Sequence, residues 1–567
     1  VTAVAGPVAE RAVAEPTTRV AWTAATEAQV GRALVVLSFA WALVVGSNFF
    51  QVSTWMLGDL AYHRGVAYTI QGGAWQGEAF YRDLLSYYGG LYPIVTGLAA
   101  ALAGTSFDIV LSIASWVVPL LWPVALLALG RRVWPDEPLA TGVFVLLGTT
   151  AAPFTHRVLV WVDGTLAASQ NVFPVYPRDV ALMLLVAAAA AWLSPGRRTR
   201  VVGAGIALAV AFVVHVQVGL LCAWVLVAWT ALLWWRSRER GIVLDLLGAG
   251  AIAVAASSWW WLPRVGAAIE SGGLLLGGFP GAVPLRMDPV TLFMAWGVVA
   301  VFAVLAVAVL AARRPLSGRL EPFLAWIVAF LPLVVIDRLV GGSDLLSERR
   351  VWLILSIPAT ALAAAAAVAV VRAMRPAWAA GFIAFALVVP SVPGTVATAA
   401  FVRDAWPEGR AGGRTYDPAA FGAVFRELNA RVRADGGHVV STYDAYAAWT
   451  WSFSGAQVPS LWLPGPFKVG FDPAVMTGRG YLERVRDQEA AYAGGIGTIC
   501  RHAEAYGAGS IVLDADDGLV GTHDVTPASA YRVEPADRDA STIRKDVGPG
   551  IAYVDQGGLD YLALDAG

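Results

Sequence analysis

The chain has 567 residues, of which 57% are hydrophobic and only 14% charged, and its mean hydropathy is +0.62. A water-soluble domain carries about 25% charged residues, so this composition excludes an ordinary soluble globule and points to lipid. A formal net charge of −1 gives no basic footprint for nucleic acid, and two cysteines, Cys222 in an apolar run and Cys500 in a polar one, exclude a disulfide framework or a thiolate metal site.

Residues 1–30 are rich in Ala, Val, Thr and Glu without an apolar period and read as a disordered cytoplasmic tail. From Arg32 to Val52 the chain is apolar for longer than a signal-peptide core and lacks a small-residue cleavage site, so it reads as a retained signal anchor. Further apolar runs lie at 91–130, 138–153, 176–193, 201–235, 242–262, 289–311, 322–336, 351–373 and 377–400. Gly104-Thr105-Ser106 offers a break in the first of these, and 201–235 is long enough for two short helices turning near His215 to Gly219. Arginine clusters at 131–132, 197–200, 236–240, 313–319 and 372–375 separate the runs. Placing all of them in the cytoplasm requires 91–130 to cross once and 201–235 twice, which gives about eleven transmembrane helices with residues 401–567 outside. The basic residues are nearly all Arg, with Lys only at 468 and 545, a GC-rich bacterial coding style. The expected fold is therefore a polytopic α-helical membrane protein of a bacterial plasma membrane, its helical domain occupying 31–400.

After Ala400 no run is long enough to span. Short strand-like runs at His438–Thr442, Ile511–Leu513 and Ile551–Val554 alternate with helix-like spacing over Pro418–Arg433 and Tyr481–Tyr492. Residues 401–567 thus read as an extracytoplasmic α/β domain. Its Asp514, Asp516 and Asp517 lack the spacing of a calcium loop. Its aromatics Trp449, Trp451, Phe453, Trp462 and Phe467 suit stacking on sugar rings, a core, or a membrane-facing surface.

The chemistry concentrates in the first outer loop, residues 53–92. Asp59 emerges where the first span leaves the bilayer, followed by His63-Arg64, and Gln76 to Tyr88 has the spacing of an amphipathic surface helix carrying Glu78 and Asp83. A carboxylate at headgroup depth can take a proton from an acceptor hydroxyl while a sugar leaves a lipid-anchored phosphate. Arginines can hold that phosphate. The same residues also admit plain roles: a helix-end carboxylate reaching headgroup water, a solvated helix face, and an arginine on lipid phosphate.

Three segments carry a family resemblance. Asp59 and Arg64 precede Asp83-Leu84-Leu85-Ser86-Tyr87-Tyr88-Gly89-Gly90-Leu91-Tyr92-Pro93; Glu348-Arg349-Arg350-Val351-Trp352 enters a late span; and the C-terminal part holds Ser441-Thr442-Tyr443 and Phe471-Asp472-Pro473. Together with the order of one span, an acidic loop, many spans and an outer domain, they resemble the GT-C superfamily of membrane glycosyltransferases. Within it they look most like the actinobacterial galactan 5-O-arabinofuranosyltransferases. The resemblance implies a polyprenyl-phosphate sugar donor, decaprenyl-phosphate arabinofuranose in the closest case, and a cell-wall glycan acceptor. It makes Asp59 the base and Asp83 a second carboxylate that orients the acceptor or a divalent cation such as Mg or Mn. Two departures bear on donor and acceptor: Leu60 stands where the superfamily often has a second acid, and the proline after Tyr92 is single.

The remaining candidates are substrate-binding. His63, Arg64 and Glu78 lie in the first loop; Arg178 opens a span in Tyr176-Pro177-Arg178-Asp179; Arg349 and Arg350 enter another; and Trp462 is the glycan-stacking candidate. Arg178 equally serves as a lipid anchor at a helix start, and Arg349 and Arg350 equally pair with Asp344 or Glu348. Two rival functions remain at this point, a polyprenyl-lipid flippase or transporter and a non-catalytic cell-wall glycan-binding protein. The gathering of acids at span ends and in outer loops disfavours a proton-coupled carrier.

Overall fold

The computed structural model describes residues 22–47, 65–68, 70, 90–105, 107–152, 154, 177–270, 289–312, 316, 320–340, 348–393 and 395–396. In the C-terminal region it describes 410–411, 414–415, 428–432, 434, 440–442, 487, 490–491, 494, 496–508, 510–514, 551–556 and 559–565. Helix α1 spans Ala24–Ser47. It starts inside the segment expected to be a disordered tail of residues 1–30, for a local reason: the Thr23 hydroxyl accepts from the Thr26 N–H at 3.1 Å, and Glu27 lies in the first turn.

The apolar run at 91–130 is divided. Helix α2, Leu91–Leu102, ends ahead of Gly104, whose φ is +61°, and α3 runs Phe107–Val133. Helix α4 is Pro138–Thr150 and α5 is Pro177–Trp192, each opened by a proline at its first turn, where a missing N–H costs nothing. A short π segment at Thr199–Gly203 leads into α6, Ala204–Val214, and α7 follows at Val216–Ser237. The division falls at His215, inside the turn expected from the sequence. His215 is extended, and its Nδ1 caps α7 by accepting from the Val218 N–H at 3.4 Å. Gly219 lets α7 return against Phe212: an added Cβ would lie 2.8 Å from the Phe212 side chain and nearer still to its backbone.

Helix α8 is Arg240–Glu270. The run at 289–311, read as one span, is two helices, α9 Pro289–Trp296 and α10 Val298–Ala311, bent by 111° at Gly297. Its φ of 56° and ψ of −132° suit glycine alone. Helix α11 is Glu321–Val340 and α12 is Glu348–Arg372. The last expected span, 377–400, is α13, Pro376–Phe382, continued by a π turn at Ile383–Val388. Among the described residues five helices are long and apolar enough to cross a membrane, or six if the bent pair is one span, with four shorter apolar helices beside them. The expected eleven is not reached by length: 201–235 divides at His215 as expected, but its first piece, α4 and the apolar part of α11 are short, and Gly297 bends 289–311 into two helices. The class is nonetheless a helical membrane protein.

Helix α12 is the axis of the bundle. Residues Ala361 to Val368 are all buried, and α10, α11 and α4 pack around them. Its buried hydroxyls are satisfied within the helix, Thr360 donating to the Ser356 carbonyl at 2.7 Å. Between apolar helices in lipid no water is released on contact, so association rests on close backbone approach at small residues. Helices α1 and α4 meet this way: a Cβ on Gly142 would lie 2.5 Å from the Gly31 carbonyl oxygen.

One end of the bundle carries ion pairs. Arg372 holds Glu27 at 2.9 Å and Glu137 at 3.0 Å, joining the starts of α1 and α4 to the end of α12. Asp245 accepts from Arg197 and Arg200, each Nε at 2.8 Å, and Arg236 reaches Glu321 at 3.3 Å. These arginines come from the clusters that the sequence placed on one side of the membrane.

The described C-terminal strands are β1 Arg410–Ala411, β2 Arg414–Thr415, β3 Val440–Thr442, β4 Ser510–Asp514, β5 Ile551–Gln556 and β6 Leu559–Asp565. Four of them form a sheet in the order β3-β4-β6-β5, with β3 parallel to β4 and the other pairs antiparallel. Helix α14, Ile496–Ala505, packs on β3 and β4. The three runs read as strands are strands. Sequence reading missed α14 and β6.

Candidate functional site

The bundle end opposite the ion pairs is where α1 finishes. Trp260 lies on α8 about 30 Å along the helix from Arg240, and it meets the start of α2: a Cβ on Gly90 would stand 3.3 Å from the indole nitrogen. Trp260 also meets Phe212 edge-on at 5.7 Å. The starts of α5 and α12, with Arg178 and Arg350, lie at this same end, since both helices finish near the ion pairs at the other. Beside Arg350 on α12, Trp352 packs edge-on against Trp296 of α9 at 6.1 Å. Phe154 donates its N–H to the Met294 carbonyl at 2.9 Å, tying a third segment to the same corner.

Part of the first loop is described, and it is anchored. Val66, Ala67, Tyr68 and Ile70 are all buried. Gly97 of α2 admits this segment, since a Cβ there would lie 2.8 Å from the Ala67 carbonyl oxygen. Tyr68 meets Phe107, the first residue of α3, edge-on at 6.5 Å. The chain that follows Asp59, His63 and Arg64 is thereby held against two helices, which fixes where the loop returns to the bundle.

Of the expected site residues, Arg178 and Arg350 are described in full and Arg349 through its backbone in α12. Arg178 is largely buried, with Nε 3.3 Å from Asp179 Oδ1, and the Asp179 side chain is 1% exposed. Arg350 is half-buried. Asp59, His63, Arg64, Glu78, Asp83 and Trp462 lie outside the described residues, as does the expected surface helix Gln76 to Tyr88. Among the described residues no three His, Cys, Asp or Glu side chains gather as a metal site.

The structure adds two residues that sequence reading did not place in the site. Tyr92 is buried at the start of α2, within electrostatic reach of the buried Asp179. From sequence Asp179 served only as a favourable charge at a helix start. Its full burial beside an arginine depends on α5 packing against α3 and α6, which no local pattern shows.

In the C-terminal region α14 carries a second polar group. Tyr506 donates its hydroxyl to Asp487 at 2.8 Å, and its ring lies 4.6 Å from that of His502. His502 is buried, and among the described residues neither ring nitrogen has a hydrogen-bond partner. Burial pushes the imidazole below its ordinary range, against an opposing pull from Asp487. Burial likewise raises the Cys500 thiol, with Arg501 acting the other way.

No protein-family model and no curated protein sequence matches the chain. Among solved structures it is similar to ArnT from Cupriavidus metallidurans bound to undecaprenyl phosphate, with a TM-score of 0.55 and 12% identity, over 94% of this chain and 98% of that one. It is also similar to the Archaeoglobus fulgidus oligosaccharyltransferase in its apo form, with a TM-score of 0.50 and 12% identity, over 85% of this chain and 69% of that one. At this identity the likeness is one of fold, a many-helix membrane architecture followed along nearly the whole chain.

Proposed function

We propose that the chain is an inverting GT-C-type glycosyltransferase, moving a sugar, arabinofuranose by preference, from a polyprenyl-phosphate donor to a hydroxyl of a cell-wall polysaccharide. The reaction is placed at the outer face of a bacterial plasma membrane. The fold supports this reading most: a chain of the same architecture along 94% of this one was solved holding undecaprenyl phosphate. The acidic first loop supports it independently.

In this reading the acceptor hydroxyl gives its proton to Asp59 as its oxygen bonds to the anomeric carbon. The bond from that carbon to the donor phosphate breaks on the opposite face, which inverts the centre and releases polyprenyl phosphate. Arg64, Arg178, Arg349 and Arg350 hold the phosphate, whose charge grows as the sugar departs. His63 and Glu78 contact the donor, and Asp83 orients the acceptor or holds a divalent cation. Trp462 stacks on the acceptor glycan. The test is transfer of radiolabelled arabinose from decaprenyl-phosphate arabinose to a galactan oligosaccharide by purified full-length protein, with and without EDTA. Labelled product is the expected result. Its absence with this donor, alongside transfer from another polyprenyl-phosphate sugar, would replace arabinofuranose and keep the class.

A further inference from the structure

The end of the bundle that carries the ion pairs has more arginine than its acids use. The turn from α7 to α8 reads Trp234-Trp235-Arg236-Ser237-Arg238-Glu239-Arg240, and all seven residues are exposed. The Arg197-Arg198-Thr199-Arg200 turn joins it through Asp245, which lies about one and a half turns into α8 and binds Arg197 and Arg200. Six arginines thus share one surface with three carboxylates: Asp245, engaged by two of the arginines; Glu321, engaged by Arg236; and Glu239.

Two details give this surface a ligand. Trp234 and Trp235 are 40% and 65% exposed on the last turn of a helix long enough to span, the level at which indoles settle among headgroups. Arg238, at the end of α7, has φ 58° and is the only positive-φ residue other than glycine among the described ones. That conformation favours glycine. Arginine occupies it with its guanidinium 5.2 Å over the Trp234 ring.

We propose that this surface is a docking site for anionic phospholipid headgroups, whose phosphate sits among Arg198, Arg238 and Arg240 while Trp234 and Trp235 lie beside the glycerol and upper acyl chain. The three arginines named are those outside the Asp245 and Glu321 pairs, so their charge is available to a ligand without dismantling the bundle.

The experiment is native mass spectrometry of the full-length protein released from detergent with added phosphatidylglycerol or phosphatidylcholine. Wild type is expected to retain phosphatidylglycerol preferentially, and less so as ammonium acetate is raised. The triple variant R198Q/R238Q/R240Q is expected to retain it roughly tenfold less or weaker still, and the matching lysine triple to keep most of the preference. Arg238→Gly separates binding from folding: it relieves the left-handed backbone, so it is expected to be at least as stable as wild type and yet to retain less phosphatidylglycerol. Equal retention of the two lipids by wild type, or an unchanged preference in the glutamine triple or in Arg238→Gly, would overturn the proposal.

Discussion

Asp245 sits on the first turns of α8 with its carboxylate almost wholly buried, receiving Arg197 and Arg200 from the turn before α6. Removing its charge strands Arg200, which is mostly shielded, whereas Arg197 is largely exposed and recovers water. Asp245→Asn should therefore cost about 2–3 kcal/mol, less than loss of a fully buried pair, read as a lowered melting temperature in detergent. His502 supplies a pH dependence whose sign follows from its depressed imidazole. The buried ring is neutral in the folded chain, so its contribution is complete above the ordinary histidine range and is lost as pH falls through that range to the lowered folded value. Limited proteolysis of the full-length protein should accelerate at α14 over that interval, and His502→Phe should flatten the response. The residue scale is also where sequence reading reached least far. It singled out Arg178 and Arg350, but the burial of Asp179 depends on how α5 packs against α3 and α6, and its nearness to Tyr92 joins residues more than eighty apart in the chain.

Helix α1 meets α4 backbone to backbone at Gly31 and Gly142, so Gly142→Ala has no room to relax. The added methyl should separate the two helices at a cost of about 1–3 kcal/mol, visible as a lower melting temperature, whereas Gly250→Ala, with open space at its Cβ, should be silent. Apolar runs were legible as helices throughout, because length and composition alone report on lipid. Breaks were legible where a polar residue marked them: His215, set with Gln217 in an apolar stretch, is the cap of α7. They were not legible at Gly297, since glycine is common inside membrane helices and only its dihedrals reveal a 111° bend. The count of eleven spans came from making every arginine cluster face one way. Arg197, Arg200, Arg236 and Arg372 do gather at one end in ion pairs, while several helices between them are shorter than a bilayer is thick. In the C-terminal region β-branched runs revealed β3, β4 and β5, whereas Leu559–Asp565 has no β-branched residue and hid β6.

For the whole molecule, a polar end rich in arginine and an opposite end that receives the first loop define a direction across the membrane. We place the arginine end inside and residues 401–567 outside. A membrane-impermeant maleimide applied to intact cells should then label a cysteine at Glu504, on α14, and spare one at Arg198, in a chain whose two native cysteines are replaced; the reverse pattern would invert the topology. In the proposed reading the end that carries Arg178 and Arg350 is the face where a lipid-linked sugar would react. The most direct test of the central claim is sugar transfer by purified wild type beside Asp59→Asn, with arabinose labelled on decaprenyl phosphate and a galactan oligosaccharide as acceptor. Product from wild type and none from an Asp59→Asn protein of unchanged melting temperature is the expected result; equal transfer by both would contradict Asp59 as the base, and no transfer by wild type from any polyprenyl-phosphate sugar would contradict the enzyme itself.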